Sequence, residues 1–264
     1  MPYFLRDNGA YVEAAMKENG YFTTYTSTLA NVTPTTPLDL SNINSALSDI
    51  AIKYPEYFHN GYNGVFPAPI GEKYYMSASI ESGKLFVNFA IDENRFDSGT
   101  SLVNALDKIK NGVVLSQHEE YSIEVLWHEI LHLKSRNTVM LPPIDSVDGF
   151  TRASLETINQ LVARKTYPKF LKQLGGDSLH QEWIINEGYG YSATVKNIRK
   201  LLGVLNIDNE KFYKKAGKLI MQDYTDFDKK IVNLMEKMSK KTNLMDIFGH
   251  IENKYFDMYL KNLE

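Results

Sequence analysis

The feature that most constrains this chain is one strongly marked helical segment, Ser116–Lys134 (SQHEEYSIEVLWHEILHLK). Ser116 and Glu119 have the spacing of a capping box. Glu119 and Glu120 fall in the first turn, where the helix dipole favours negative charge. The segment therefore predicts a capped helix that runs from Ser116 to about Lys134.

The last part of this helix carries the pattern HEXXH, as His128-Glu129-Ile130-Leu131-His132. Two histidines at i and i+4 project from one helix face, so both imidazoles can reach one metal ion. Glu129 lies about 100° around the helix from His128, beside such an ion rather than on it. The pattern predicts His128 and His132 as metal ligands and Glu129 as the general base for a metal-activated water. The competing interpretation makes both histidines polar positions on a solvent-facing helix.

A third ligand must come from elsewhere, since two histidines do not hold a catalytic zinc. The chain has six His and no Cys, so a thiolate ligand is excluded. Glu156 lies 24 residues after His132 on the next helical pattern, and it is the predicted third ligand, completing a His₂Glu site with a fourth position open to water. The opposing view is that Glu156 is an exposed helix glutamate. Four other candidates stay open: His180, Glu187, Asp145 and Asp148.

The HEXXH helix followed by a glutamate on the next helix resembles the gluzincin arrangement of zinc metallopeptidases. In the thermolysin-like pattern, the third ligand is the Glu of NExxSD. Here Leu155 stands in place of the Asn and Gln160 in place of the Asp, and Asn159 or Gln160 could replace that Asp in orienting a ligand. The resemblance implies a zincin-like fold, a Zn²⁺ cofactor, and a peptide or protein substrate whose peptide bonds are hydrolysed.

A looser resemblance covers about residues 85 to 240. The runs EEYSIEVLWHEILH, ETINQLVARKTY and NEGYGY are similar to zincin domains of bacteriophage and mobile-element proteins. This likeness implies an alternative function, in which the fold is a catalytically silent binding or assembly module and the metal is a structural staple.

Hydrolysis also requires a donor that stabilises the oxyanion of the transition state, commonly a Tyr or His in zincins. Gly188 and Gly190 predict a loop, and Tyr189 on that loop is the predicted donor, with Tyr191 and His180 as alternatives. The competing interpretation makes both tyrosines packing residues at a helix break.

The predicted fold class is α+β: an N-terminal α+β lobe over 1–115 and a helical zincin lobe over 116–264, together forming one compact unit. Lys73–Ile80 and Lys84–Ile91 predict a β-hairpin. The second strand could be the edge strand that binds substrate in zincins, or a two-sided core strand.

Further patterns predict the other elements. In the first lobe, Ser41–Lys53 and Ser101–Lys110 predict helices, while His59–Ile70 is rich in Gly and Pro and predicts a loop. Thr151–Thr166 predicts a helix disturbed at Pro168 and stopped at Gly175-Gly176. Three more helices are predicted near 208–222, 225–241 and 243–262.

The net charge and the hydropathy of the chain limit which partners and which cellular location we expect. The net charge is −3, which gives no reason to expect a nucleic-acid partner. No apolar run approaches the length of a membrane-spanning helix, and the N-terminus does not resemble a signal peptide, so we expect no membrane partner and a cytoplasmic location.

Overall fold

The computed structural model describes residues 40–92, 94–134, 148–222 and 224–263. Short 3₁₀ turns cover Pro55–Tyr57 and Lys261–Leu263. The helices and strands are, in chain order, α1 (Ser41–Lys53), β1 (Val65–Pro67), β2 (Met76–Ser79), β3 (Lys84–Val87), α2 (Ser98–Lys110), α3 (Gln117–Leu133), α4 (Gly149–Leu174), α5 (Gln181–Glu187), α6 (Ser192–Val204), α7 (Asn209–Ile220), α8 (Phe227–Ser239), α9 (Leu244–Phe248) and α10 (Phe256–Leu260).

The chain divides into two compact units. One comprises the described residues of Met1–Lys134 and of Pro168–His180, and the other those of Ser135–Tyr167 and of Gln181–Glu264. A small sheet with a mainly helical body confirms the α+β class. The predicted division at residue 115 stays a prediction.

The sheet of the first unit has the strand order β1-β3-β2. β3 pairs antiparallel with β2, with Ser79 opposite Lys84, which confirms the predicted hairpin. β3 also pairs parallel with β1, with Val65 opposite Leu85. Lys84–Val87 is therefore a central strand, and the interpretation of this strand as the substrate-binding edge is wrong. Its alternative, a two-sided core strand, is confirmed by the burial of Leu85, Phe86 and Val87.

Strand β1 lies inside the segment 59–70, which the sequence predicts as a loop, so that prediction is wrong at Val65–Pro67. The strand has only three residues and ends in a proline, which removes one backbone donor. A proline is compatible with a strand at the edge of a sheet, and β1 is such a strand. Its pairing with β3 comes from the tertiary structure, so the local sequence carries no signal for it.

Helix α3 is the buried centre of the first unit and packs against α2 and β2. All residues from Glu119 to Leu133 are buried. The predicted capping box is present: the Ser116 hydroxyl accepts a hydrogen bond from Glu119 N, and the Glu119 carboxylate accepts one from Ser116 N at 2.7 Å. Trp127 stacks on Phe170, with ring centroids 4.8 Å apart. The predicted helix is confirmed.

Helix α4 is longer than its sequence pattern predicts. The helical pattern ends at Thr166, with a disturbance at Pro168, but the observed helix continues through Pro168 to Leu174. Tyr167, Phe170 and Leu171 on either side of the proline are fully buried, and this burial offsets the cost of one missing backbone hydrogen bond. Gly175, with φ of +99°, ends the helix as predicted.

The second unit is built from the first part of α4 and from α5 to α10. Helices α7 and α8 confirm the predicted patterns at 208–222 and 225–241, with ends a few residues shorter. The predicted helix over 243–262 is instead two short helices, α9 and α10. Within the described ranges, no helix combines the length and apolarity needed to span a bilayer.

Candidate metal centre

The two histidines of the HEXXH pattern lie on the last two turns of α3. His128 and His132 are 4% and 9% exposed, so they do not face solvent as the competing interpretation requires. Their Nε2 atoms are 3.1 Å apart. Two nitrogens bound to one tetrahedral zinc, each about 2.0–2.1 Å from it, are about 3.3 Å apart. The two rings therefore already have close to the separation that a shared ion needs.

Glu156 on α4 joins this pair. His128, His132 and Glu156 each offer one ligand atom, and these three atoms lie within 4.8 Å of one another. Two imidazole nitrogens and one carboxylate oxygen form a donor set typical of zinc sites with three protein ligands. These residues therefore could hold a metal ion, and Glu156 is half-buried rather than exposed.

The structure gives His180 a different environment. Its backbone N–H and that of Leu179 donate to Oε2 of Glu120, while the Ser178 hydroxyl donates to Oε1. Its ring Nε2 lies 3.2 Å from the Leu115 carbonyl oxygen. Glu120 is fully buried, and it accepts these hydrogen bonds beside the N-terminus of α3, whereas the HEXXH pattern lies at the other end. His180 is not part of the ligand group.

The remaining candidate ligands also have other environments. Asp148 Oδ1 accepts hydrogen bonds from the N–H groups of Phe150 and Thr151 and so caps α4. Glu187 is exposed and forms an ion pair with Lys196 at 3.3 Å. Asp145 lies outside the described residues. Among the four candidate third ligands that the structure describes, Glu156 is the one that lies with the histidines.

Glu129, the predicted general base, is buried next to His128. Its side chain keeps 11% of its surface exposed, and its Oε1 is 4.0 Å from His128 Nε2. The carboxylate therefore lies close to the predicted ligand atoms without being one of them. Its role in proton transfer stays a prediction.

The polar residues that the resemblance assigns to the surroundings of Glu156 are buried. Asn159 and Gln160 lie one turn further along α4, and both are almost completely inaccessible. Glu124, one turn before His128 on α3, is also fully buried. Buried amide and carboxylate groups are the kind of partners that orient metal ligands. That they orient the ligands stays a prediction.

The predicted loop with two glycines is confirmed, because α5 ends at Glu187 and α6 begins at Ser192. Tyr189 is half-buried and packs edge-on against Trp183, with ring centroids 5.7 Å apart. This contact favours the packing interpretation of Tyr189. Its predicted role as the oxyanion donor remains a prediction.

Sequence reasoning missed Arg164, which lies two turns after Glu156 on α4. Its guanidinium is buried, and Nη2 donates to the carbonyl oxygens of Gly188 at 2.7 Å and Gly190 at 2.6 Å. Nη1 donates to the Ile185 carbonyl oxygen at 3.3 Å. The only local signal is that Arg164 directly follows the apolar run Leu161-Val162-Ala163. Arginine is seldom fully buried unless it is paired, so its burial here was not expected.

Comparison with known proteins returns no match: no family model, no curated protein and no solved structure matches this chain. The metal-ligand geometry therefore carries the functional argument alone.

Proposed function

We propose that this protein is a zinc metallopeptidase that hydrolyses peptide bonds, with His128, His132 and Glu156 as the zinc ligands. The observation that carries the proposal is the buried group of two imidazoles and one carboxylate, whose ligand atoms lie within 4.8 Å of one another. The sequence places a glutamate directly after the first histidine, as in HEXXH peptidases. We propose a zincin-like fold on the same basis.

The donor set favours zinc over harder cations. Imidazole suits zinc, copper, iron and nickel, whereas magnesium and calcium prefer oxygen ligands. His128, His132 and Glu156 would hold the ion as three protein ligands, as in catalytic zinc sites. When bound, zinc would supply Lewis-acid chemistry, by lowering the pKa of a water molecule and by polarising a substrate carbonyl.

The residues of the chain supply the proton transfer. We propose that Glu129, whose Oε1 is 4.0 Å from His128 Nε2, accepts a proton from the attacking water and delivers it to the nitrogen of the leaving amine.

An extended substrate has a strand to pair with in the first unit. Among the described strands, β2 lies at an edge of the sheet, and it packs against the HEXXH helix α3. A substrate added to this edge through backbone hydrogen bonds would be held as a further strand. The edge that we propose for the substrate is therefore Met76–Ser79.

The test is the substitution Glu129→Gln, measured by zinc content and by peptidase activity on a denatured protein substrate. We expect stoichiometric zinc in both proteins and an activity lower by at least about 100-fold in the variant, because general-base catalysis contributes 10²–10⁴. Equal activity in the two proteins would remove Glu129 from the mechanism. A wild-type protein without zinc after incubation with the ion would contradict the proposed metal site.

A second function is favoured by one observation, the burial of the two histidine ligands. His128 and His132 keep little exposed surface, as in a structural metal site. In that case the protein is a catalytically silent binding or assembly module of a phage or mobile element. Glu129→Gln is then silent, while His128→Ala lowers zinc content and melting temperature together.

A further inference from the structure

One face of α7, in the second unit, is a row of exposed lysines. The members of this lysine row are Lys211, Lys214, Lys215 and Lys218. At about 100° per residue, they fall within an arc of about 100° and span about 10 Å of the helix axis. The opposite face is buried through Phe212, Ala216 and Ile220. One face of the helix therefore packs in the second unit, and the other presents positive charge.

The charge of the lysine row is largely unpaired. Asp208, the N-cap of α7, has its Oδ2 3.7 Å from Lys211 Nζ, at the start of the row. Glu210, the one acidic residue within α7, pairs instead with Lys165 on α4 at 2.6 Å. The side chains of the other three lysines of the row form no ion pair or hydrogen bond with a described residue.

Other exposed lysines of the second unit are paired. In three of them, Nζ lies within 3.3 Å of a carboxylate oxygen: Lys196, Lys200 and Lys229. In the lysine row, by contrast, like charges are three and four residues apart, and such pairs destabilise a helix. An anionic partner would remove this repulsion, so the row has the charge pattern of an interaction surface.

The side chains of α7 favour one kind of anionic partner. All its exposed side chains are polar or charged, so the helix offers no apolar group to insert into a membrane. Tyr213 is half-buried, whereas single-stranded nucleic acid binds to exposed aromatic rings. In an extended acidic peptide, the charges on one side are about 7 Å apart. Double-stranded DNA carries one negative charge per about 1.7 Å of its axis, which suits four cations within about 10 Å.

We propose that the lysine row of α7 is a docking surface for double-stranded nucleic acid, and that it contacts the phosphate backbone without reading the base sequence. Lysine is a point charge, and the row contains no arginine, whose planar fork gives defined contacts with bases. The net charge of −3 averages over the whole chain, so it does not reveal one basic face. This surface needs no metal and does not depend on the proposed peptidase function.

The test is the fluorescence anisotropy of a labelled DNA duplex of about 20 base pairs, titrated with the full chain at about 50 mM salt. We expect the triple substitution Lys214→Gln, Lys215→Gln and Lys218→Gln to weaken binding at least about 10-fold. The slope of log K against log salt should fall by about 2.7, because each phosphate contact contributes about 0.9. The melting temperature of this variant should equal or exceed that of wild type, because like-charge pairs are removed and glutamine is a good helix former.

The matched control is the triple substitution Lys196→Gln, Lys200→Gln and Lys229→Gln. It removes the same charge from exposed lysines that already have carboxylate partners. We expect its affinity for the duplex to stay within about 2-fold of wild type, because charges away from the contact are screened by salt. Two duplexes of unrelated sequence should bind wild type equally.

Three outcomes overturn this inference. The first is a wild-type protein that does not bind the duplex at about 50 mM salt. The second is equal weakening in the two triple variants, because the effect would then follow net charge alone. The third is a lysine-row variant that keeps duplex binding but loses binding to phosphatidylserine vesicles or to polyglutamate, because the row would then face a membrane or an acidic protein. Zinc content stays unchanged in both triple variants, so none of these outcomes bears on the proposed peptidase function.

Discussion

The helices α3 and α4 supply the proposed metal ligands, and they are specified in different ways. α3 begins at a capping box, and its two histidines are one turn apart, so short-range sequence signals determine its start and its chemistry. α4 contributes one ligand, continues through a proline, and uses a buried arginine to hold a loop. Local signals therefore determine the first helix, whereas long-range contacts determine how far the second helix extends and which loop it holds.

The difference also concerns how buried charge is satisfied. On α3, Glu119 and Glu120 accept hydrogen bonds at the helix start, from Ser116 N and Lys108 Nζ and from residues 178–180. Negative charge is favoured at that end of a helix. On α4, Arg164 lies in the helix interior, where the dipole offers no such help. Its stabilisation depends on carbonyl groups more than 20 residues away.

The comparison of the two helices predicts that a substitution on α4 causes the largest loss of stability. We expect Arg164→Met to lower the free energy of unfolding by about 3 kcal/mol, because three carbonyl oxygens lose a charged donor and hydrogen bonds to charged groups contribute about 1.5–3 kcal/mol each, partly offset by removal of a buried charge. Urea unfolding measures this change.

Arg199→Met is the control for that substitution. Arg199 is half-buried, and its one short contact is with Asn186 Oδ1 at 2.7 Å. The same change of side chain should therefore cost about 1 kcal/mol here. If both substitutions lower the free energy of unfolding by the same amount, the hydrogen bonds from Arg164 to the loop stabilise the protein no more than the single short contact of Arg199 does.

A smaller effect is expected at the start of α3. Ser116→Ala removes the acceptor for Glu119 N, and N-cap substitutions of this kind cost about 1 kcal/mol. Ser48→Ala on the exposed face of α1 is the control, and it should be neutral or slightly stabilising, because alanine has the higher helix propensity. A loss from Ser48→Ala as large as that from Ser116→Ala would contradict a role for the cap.

The smallest effect is a pH dependence at Glu119. Burial by itself raises the pKa of this carboxyl, but hydrogen bonds from Lys108 and Ser116 lower it, and the net shift is downward. A depressed folded pKa contributes stability that is present above the unfolded value of about 4.3 and is lost as the pH falls through the folded value. We expect the thermal stability of wild type to fall more steeply below pH 4.3 than that of Glu119→Gln. Parallel curves of melting temperature against pH for the two proteins would contradict this expectation.

Much of the candidate site follows from the sequence. His128, Glu129 and His132 are one short motif, and the absence of cysteine makes a carboxylate the natural third ligand. The choice of Glu156 over four other candidates depended on a helical pattern, and the structure places that residue with the histidines. The contacts of Arg164 were not predicted, because they depend on residues distant in sequence.

Prediction of the fold from the sequence fails for the same reason, and particular residues show where. Two β-rich runs, Lys73–Ile80 and Lys84–Ile91, joined at Gly83 predict the hairpin, and the structure forms it over the shorter strands of Met76–Val87. The φ of +66° at Gly83 suits a tight turn. The strand Val65–Pro67 is not predicted from the sequence, because three residues carry too little β-pattern. The strand forms through its backbone hydrogen bonds to β3. The sequence predicts a disturbance of the helix at Pro168, yet the buried aromatic residues around it keep the helix continuous.

The sequence by itself determined the α+β class, the start and end of α3 and the two histidines on one helix face, because each depends on contacts within a few residues. Only the tertiary structure decided which carboxylate meets the histidines, which strand lies at the sheet centre, and where a buried arginine holds its loop. These three features depend on contacts between segments that are far apart in sequence. Such contacts stabilise the protein only once the chain has folded.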